Sequence, residues 1–175
     1  MPDFNQDHFA LFGLDPGYAI DVVALDLAYR ELQGEIHPDR FAHAGEADKR
    51  LAVQWSTRAN EAYQTLKNPF ARASYLLTLQ GIDALAPGHA ALPLTFLERQ
   101  MEWRETLAEA VASADTDALD RLENDTRAEA GGLLREVAEL LDTKRDYPAA
   151  AEVLRQYRFL EKFLADIGDA YEDME

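Results

Sequence analysis

The stretch Ala28-Tyr29-Arg30-Glu31-Leu32-Gln33-Gly34-Glu35-Ile36-His37-Pro38-Asp39-Arg40-Phe41 decides how the first half of this chain is organised. The apolar positions Val22, Leu25, Tyr29, Leu32 and Ile36 alternate steps of three and four, which puts them on one stripe of a helix. Pro38 fixes its own φ and pushes His37 out of α geometry, so the helix ends before the proline and a stiffened turn presents His37 and Asp39. Downstream, Ala52, Trp55, Ala59, Ala62 and Leu66 make a second stripe. Joined by the loop from Pro38 to Gly45, the two helices read as an antiparallel hairpin with facing stripes. A rigid polar turn at the end of such a hairpin is a docking element.

Outward from the hairpin, Asn68-Pro69 reads as a helix stop joined to a new start, with Asn68 as cap and Pro69 in the first position of a helix to Gln80. A short helix through Phe9, Leu11 and Phe12, closed by Gly13, precedes the hairpin. Gly81, Pro87, Gly88 and Pro93 make residues 81–94 the densest cluster of helix breakers, and Ile82, Leu85 and Leu92 mark that linker as packed rather than free. Thr95-Phe96-Leu97-Glu98 has the capping-box pattern and opens a helix to about Ser113. Asp115 or Thr116 starts the next, running toward Lys144. The last begins near Pro148 with the stripe Val153, Tyr157, Leu160, Leu164, Ile167, Tyr171. The expected fold is all-α: a four-helix unit over 1–80, a packed linker over 81–94 and a three-helix bundle over 95–175.

Composition narrows the function. The 175 residues are 47% apolar, enough for real cores, and carry a net charge of −16. Residues 1–78 hold 7 basic and 11 acidic side chains, residues 79–175 hold 10 and 22. Such a surface repels phosphate backbones and anionic lipid, so neither nucleic acid nor a membrane is an expected partner. The absence of cysteine removes disulfides, thiol nucleophiles and thiolate metal sites. The start, Met1, Pro2 and Asp3, lacks a basic and apolar leader, and no apolar run reaches the length of a membrane span, so the expected location is the cytoplasm.

Catalytic chemistry has little to stand on. His37 and His43 flank a loop with Asp39, but no third strong ligand joins them, so no metal or other cofactor is expected. Phosphate loops, nucleophile elbows and the His-Glu-x-x-His pattern are missing. Glu98, Glu102, Glu105 and Glu109 at helical spacing read as a solvated face. A helical hydrolase using His37 and Asp39 would act without any partner, which separates it from a docking protein.

The hairpin and its turn resemble a J-domain, the module by which co-chaperones engage a DnaK-class ATPase. Carrying the resemblance are Tyr29-Arg30-Glu31-Leu32, Ile36-His37-Pro38-Asp39-Arg40-Phe41, Asn60-Glu61-Ala62-Tyr63-Gln64-Thr65-Leu66, and Asn68-Pro69 through Arg72-Ala73. The continuation through Ala73-Ser74-Tyr75-Leu76-Leu77-Thr78-Leu79-Gln80-Gly81, then Phe96 to Glu105, and the late Arg158-Phe159-Leu160-Glu161-Lys162, look like the HscB family of iron–sulfur cluster biogenesis. The resemblance covers nearly the whole chain. It implies a non-enzymatic adaptor that stimulates an HscA-like chaperone ATPase and delivers an IscU-like scaffold protein to it. By position it assigns chaperone contacts to His37, Pro38, Asp39, Arg30 and Arg40. Scaffold contacts fall on Leu97, Met101, Glu102, Glu105 and Phe159.

By spacing alone Leu97 and Met101 read equally well as bundle core. Glu98, where the family often has an apolar residue, is left out of the scaffold site as a member of the capping box. The second helix is also poorer in cations than the family pattern, with Ala28, Gly34 and Glu35 leaving Arg30 nearly alone. The alternative of the same class is a generic J-domain co-chaperone whose acidic bundle recruits a different client.

Overall fold

The computed structural model describes residues 6–41, 43–86 and 92–174. The expected leader-free start and the linker residues Pro87, Gly88 and His89 lie outside the described residues. All regular structure among the described residues is helical: α1 (His8–Leu11), α2 (Val22–Ile36), α3 (Glu46–Lys67), α4 (Pro69–Leu79), α5 (Leu94–Ser113), α6 (Thr116–Ala138) and α7 (Tyr147–Met174). A 3-10 turn, Pro38–Phe41, follows α2, and a π-turn, Glu139–Lys144, continues α6. The chain divides into two compact units, Met1–Leu76 and Leu77–Glu175.

Short acidic and amide side chains start the helices, which explains part of the acid surplus. Asp7, Asp21, Asn68, Asp115 and Asp146 each accept a hydrogen bond from a backbone N–H of the following first turn, at 2.8–3.1 Å. These bonds satisfy donors that have no partner inside the helix, and the negative charge suits the positive end of the helix dipole. The capping box expected at Thr95 does not form. Helix α5 starts at Leu94 from Pro93, with no side-chain cap, because the extended ψ of 140° at Pro93 lets the first helical bond, Leu97 N–H to Pro93 O, close early. Thr95 is then inside the first turn.

In the first unit α2 and α3 pack as the expected antiparallel hairpin. Leu25, Leu32 and Ile36 of the first stripe, and all five members of the second, are buried. Val22 is not: α3 ends at Lys67, opposite Asp26, so no part of α3 is left to cover the start of α2. Alanines 52, 59 and 62 let the two backbones approach, and Trp55, Phe9 and Phe12 fill the core. One edge of the seam is polar. Tyr63 and Lys67 bond to Asp26 at 2.9 Å, Tyr29 stacks on Tyr63 at 4.0 Å, Gln33 donates to Tyr29 Oη and Ser56 donates to Gln33. The hydrogen-bonded Lys67 ammonium holds the Asp26 carboxyl below its ordinary pKa, with Tyr63 adding to it. Buried Arg72 donates to the Leu66 carbonyl at the end of α3 at 2.7 Å and lies over the Tyr18 ring.

In the second unit α5, α6 and α7 form a three-helix bundle. The pairs Phe96–Phe159, Trp103–Phe163 and the Ala110–Ala170 cluster show α5 and α7 running the same way, while Tyr171, near the end of α7, donates to Asp120 near the start of α6. Four rings, Phe96, Trp103, Phe159 and Phe163, make edge-on and stacked contacts at centroid distances of 5.8–6.4 Å. Ala114 turns the chain from α5 into α6 in the left-handed region at φ 51°.

Candidate functional site

The His-Pro-Asp turn closes the hairpin as its sequence requires. His37 leaves α geometry at φ −56°, ψ 130°, the extended conformation a following proline favours. Its Nδ1 lies 3.3 Å from the Asp39 backbone nitrogen and 3.5 Å from Asp39 Oδ2. With Nδ1 accepting from the Asp39 N–H, the opposite ring nitrogen is the donor a partner would meet. The imidazole is 53% and the Asp39 carboxylate 91% exposed, so the turn offers a fixed donor and an open acceptor side by side. Pro38 between them is half-buried.

The two expected cations have different fates. Arg40 turns back, and its Nη1 donates to the Gly34 carbonyl at 2.6 Å. That carbonyl belongs to the last turn of α2, whose acceptors lack helical partners and whose dipole favours a cation. Arg40 therefore pins the turn to the helix it terminates. Arg30 is exposed on α2, one turn beyond Asp26, and adds a small electrostatic share to the lowering of that carboxyl.

A second feature is an apolar strip on α5. Leu94, Leu97 and Met101 are 71%, 38% and 64% exposed, one turn apart on the same side of the helix. Glu102 and Glu105 are exposed on the adjoining side, and Phe159 is half-buried at the α5–α7 seam, edge-on to Phe96 at 5.8 Å with the Arg104 guanidinium 5.8 Å from its ring centroid. The row that enters the bundle is instead Phe96, Trp103 and Ala110. Leu94 and Arg104 belong to this face and were not singled out from the sequence. The step of three from Leu94 to Leu97, continued by four to Met101, is the signal that would have included Leu94.

Among the described residues no group of three or more His, Asp or Glu converges as a metal cage, and no helix is long and apolar enough to cross a membrane.

Residues 92–168 match the sequence model of the HSCB C-terminal oligomerisation domain. Over all 175 residues the chain is 49% identical to the co-chaperone protein HscB homologue of Paraburkholderia phymatum, spanning 99% of that protein. The chain belongs to the HscB co-chaperone family. Its fold agrees with the solved members: chaperone HscB from Vibrio cholerae superposes with a TM-score of 0.83 at 35% identity, over 97% of this chain and 100% of that one. Human co-chaperone protein HscB gives 0.88 at 29% identity, over 95% and 83%. Within the HscB family frame, the hairpin with the His-Pro-Asp turn is the J-domain and the α5–α7 unit is the C-terminal bundle.

Proposed function

We propose that this chain stimulates ATP hydrolysis by a DnaK/HscA-class chaperone through His37, Pro38 and Asp39, and brings to it an IscU-like scaffold protein bound on α5 and α7. It thereby assists iron–sulfur cluster maturation and transfer in the cytoplasm and turns over no substrate itself. The J-domain, 1–80, carries the chaperone contacts and the bundle, 95–175, the scaffold contacts Leu97, Met101, Glu102, Glu105 and Phe159, with 81–94 as the packed linker between them. The observation that carries this reading is the exposed, locally stiffened His37–Asp39 pair at the closed end of the hairpin. Arg30 supplies the outward cation, and Arg40 serves by holding the turn to α2.

The test is an ATPase assay on the purified chaperone, with and without the scaffold. His37→Gln and Asp39→Asn are each expected to abolish stimulation while leaving helical content and melting within the small range of surface substitutions. Full stimulation by either variant overturns the assignment of the turn.

A further inference from the structure

The exposed strip on α5 has two charged borders of opposite sign, and the one on α7 is unexpected. Residues 77–175 hold 10 basic side chains against 22 acidic ones. Yet four of those ten gather around Phe159. Arg155, Arg158 and Lys162 line one shallow depression of about 600 Å³ together with Phe159, Glu161 and Ala165. Arg104 reaches the other side of the same ring from α5. Two carboxylates face this group: Glu161, paired with Arg158 at 2.7 Å, and Asp166, which lines the neighbouring groove with Arg104. Arg155 leans onto the Ala84 carbonyl at 3.4 Å. Lys162 is exposed, as is more than half of the Arg158 side chain.

On the far side of the strip the helix repeat places Glu98, Glu102, Glu105 and Glu109 as the next row around α5, all exposed. Across this face the order is therefore acidic row, apolar Leu97 and Met101, the Arg104–Phe159 seam, and basic row.

We infer that the basic row of α7 is an anion-recognising edge of the client-docking face, and that it receives an acidic segment of the protein client. The apolar strip supplies area without direction, since any apolar surface can cover it. Borders of opposite sign supply the direction: a client turned end for end brings like charges together on both sides. In a unit this acidic, concentrating cations beside Phe159, the half-buried one of the four seam rings, leaves a local surface complementary to carboxylates rather than to the lysines and arginines that the rest of the unit attracts. The inference rests on the reading that α5 and α7 dock a protein client, and names the chemistry of that client's contact with α7.

Calorimetric titration with the IscU-like scaffold protein tests it, at about 0.05 M and about 0.5 M salt, where screening differs several-fold in range. Arg158→Glu with Lys162→Glu is expected to weaken binding about tenfold or more at low salt, with most of the difference gone at high salt. The milder Arg158→Gln with Lys162→Gln is expected to fall between it and the unaltered chain. Arg121→Glu with Arg135→Glu, exposed on α6, makes the same change in net charge and is expected to bind as the unaltered chain does. Unchanged or tighter binding by the α7 reversal, or an equal loss in the α6 control, overturns the inference. Leu97→Ala with Met101→Ala tests the docking reading separately. If that pair loses binding while the α7 reversal does not, docking stands and the anion edge falls; if the unaltered chain does not bind, both fall.

Discussion

The hairpin of the first unit is closed by small residues around one buried indole, with the Tyr29–Tyr63 stack and hydrogen bonds along its edge, whereas the bundle of the second is closed by a row of four rings. In the hairpin, alanines bring α2 and α3 together around Trp55, and the polar edge from Asp26–Lys67 to Gln33–Ser56 sets the register. In the bundle, Phe96, Trp103, Phe159 and Phe163 share the contact between α5 and α7. The functional surfaces differ in the same sense. The hairpin displays a polar turn whose shape comes from neighbouring residues of one segment. The bundle displays an apolar strip whose exposure depends on what the other helices cover.

The largest expected effect tests the contrast between a single buried ring set among alanines and a row of four. Trp55→Ala empties the place of the largest fully buried side chain, at the centre of the first core, and is expected to cost about 3–5 kcal/mol of stability in denaturant unfolding. Phe96→Ala, whose ring meets those of Trp103 and Phe159, is expected at the lower end of that range. A smaller loss for Trp55→Ala than for Phe96→Ala would invert the comparison.

The next effect is a gain. Gly34 lies inside α2, and a Cβ added there meets nothing within 4 Å. Gly34→Ala is expected to stabilise the first unit by about 1 kcal/mol, read as a higher denaturation midpoint at unchanged slope. The carbonyl that Arg40 caps is untouched by the change.

Truncating the exposed strip is expected to do less to stability. Leu97→Ala and Met101→Ala should each shift unfolding by no more than about 0.5 kcal/mol, the range of surface substitutions, although Leu→Ala in a core costs several times as much. A collapsed melt would show that the strip is structural after all.

The smallest effect is confined to high pH. Its hydrogen bond to Asp120 pushes the Tyr171 phenol up to about 12 from an ordinary 10.0. A raised pKa in the folded state contributes stability in full below pH 10 and loses it as pH rises toward 12. Spectrophotometric titration should show late phenolate absorbance that disappears in Tyr171→Phe, with the high-pH loss of stability reduced in the same variant.

The hairpin was the most legible part of the fold because its information is local. Five apolar residues at steps of three and four, a proline and a second stripe suffice to draw two helices and the turn between them. The failures are at helix ends: in the hairpin Val22 continues the stripe but outruns the partner helix, and in the bundle Thr95 has the residues of a capping box while Pro93 starts α5 first. Arg40 is a subtler case. Sequence made it a cation beside the turn, and only the folded geometry shows that its guanidinium is spent on the Gly34 carbonyl. The polar seam was invisible, since Asp26 and Lys67 lie 41 residues apart and neither is remarkable alone.

By itself the sequence determined the helical class, the His-Pro-Asp turn and the acid surplus, because periodicity, proline geometry and charge are properties of neighbouring residues. Which face of α5 enters the bundle was decided only by tertiary structure. Phe96, Leu97 and Met101 lie within six positions on one helix, and spacing carries no direction. Helix α7 brings Phe159 and Phe163 against Phe96 and Trp103, which leaves Leu97 and Met101 turned outward, next to acids on one side and the cations of α7 on the other.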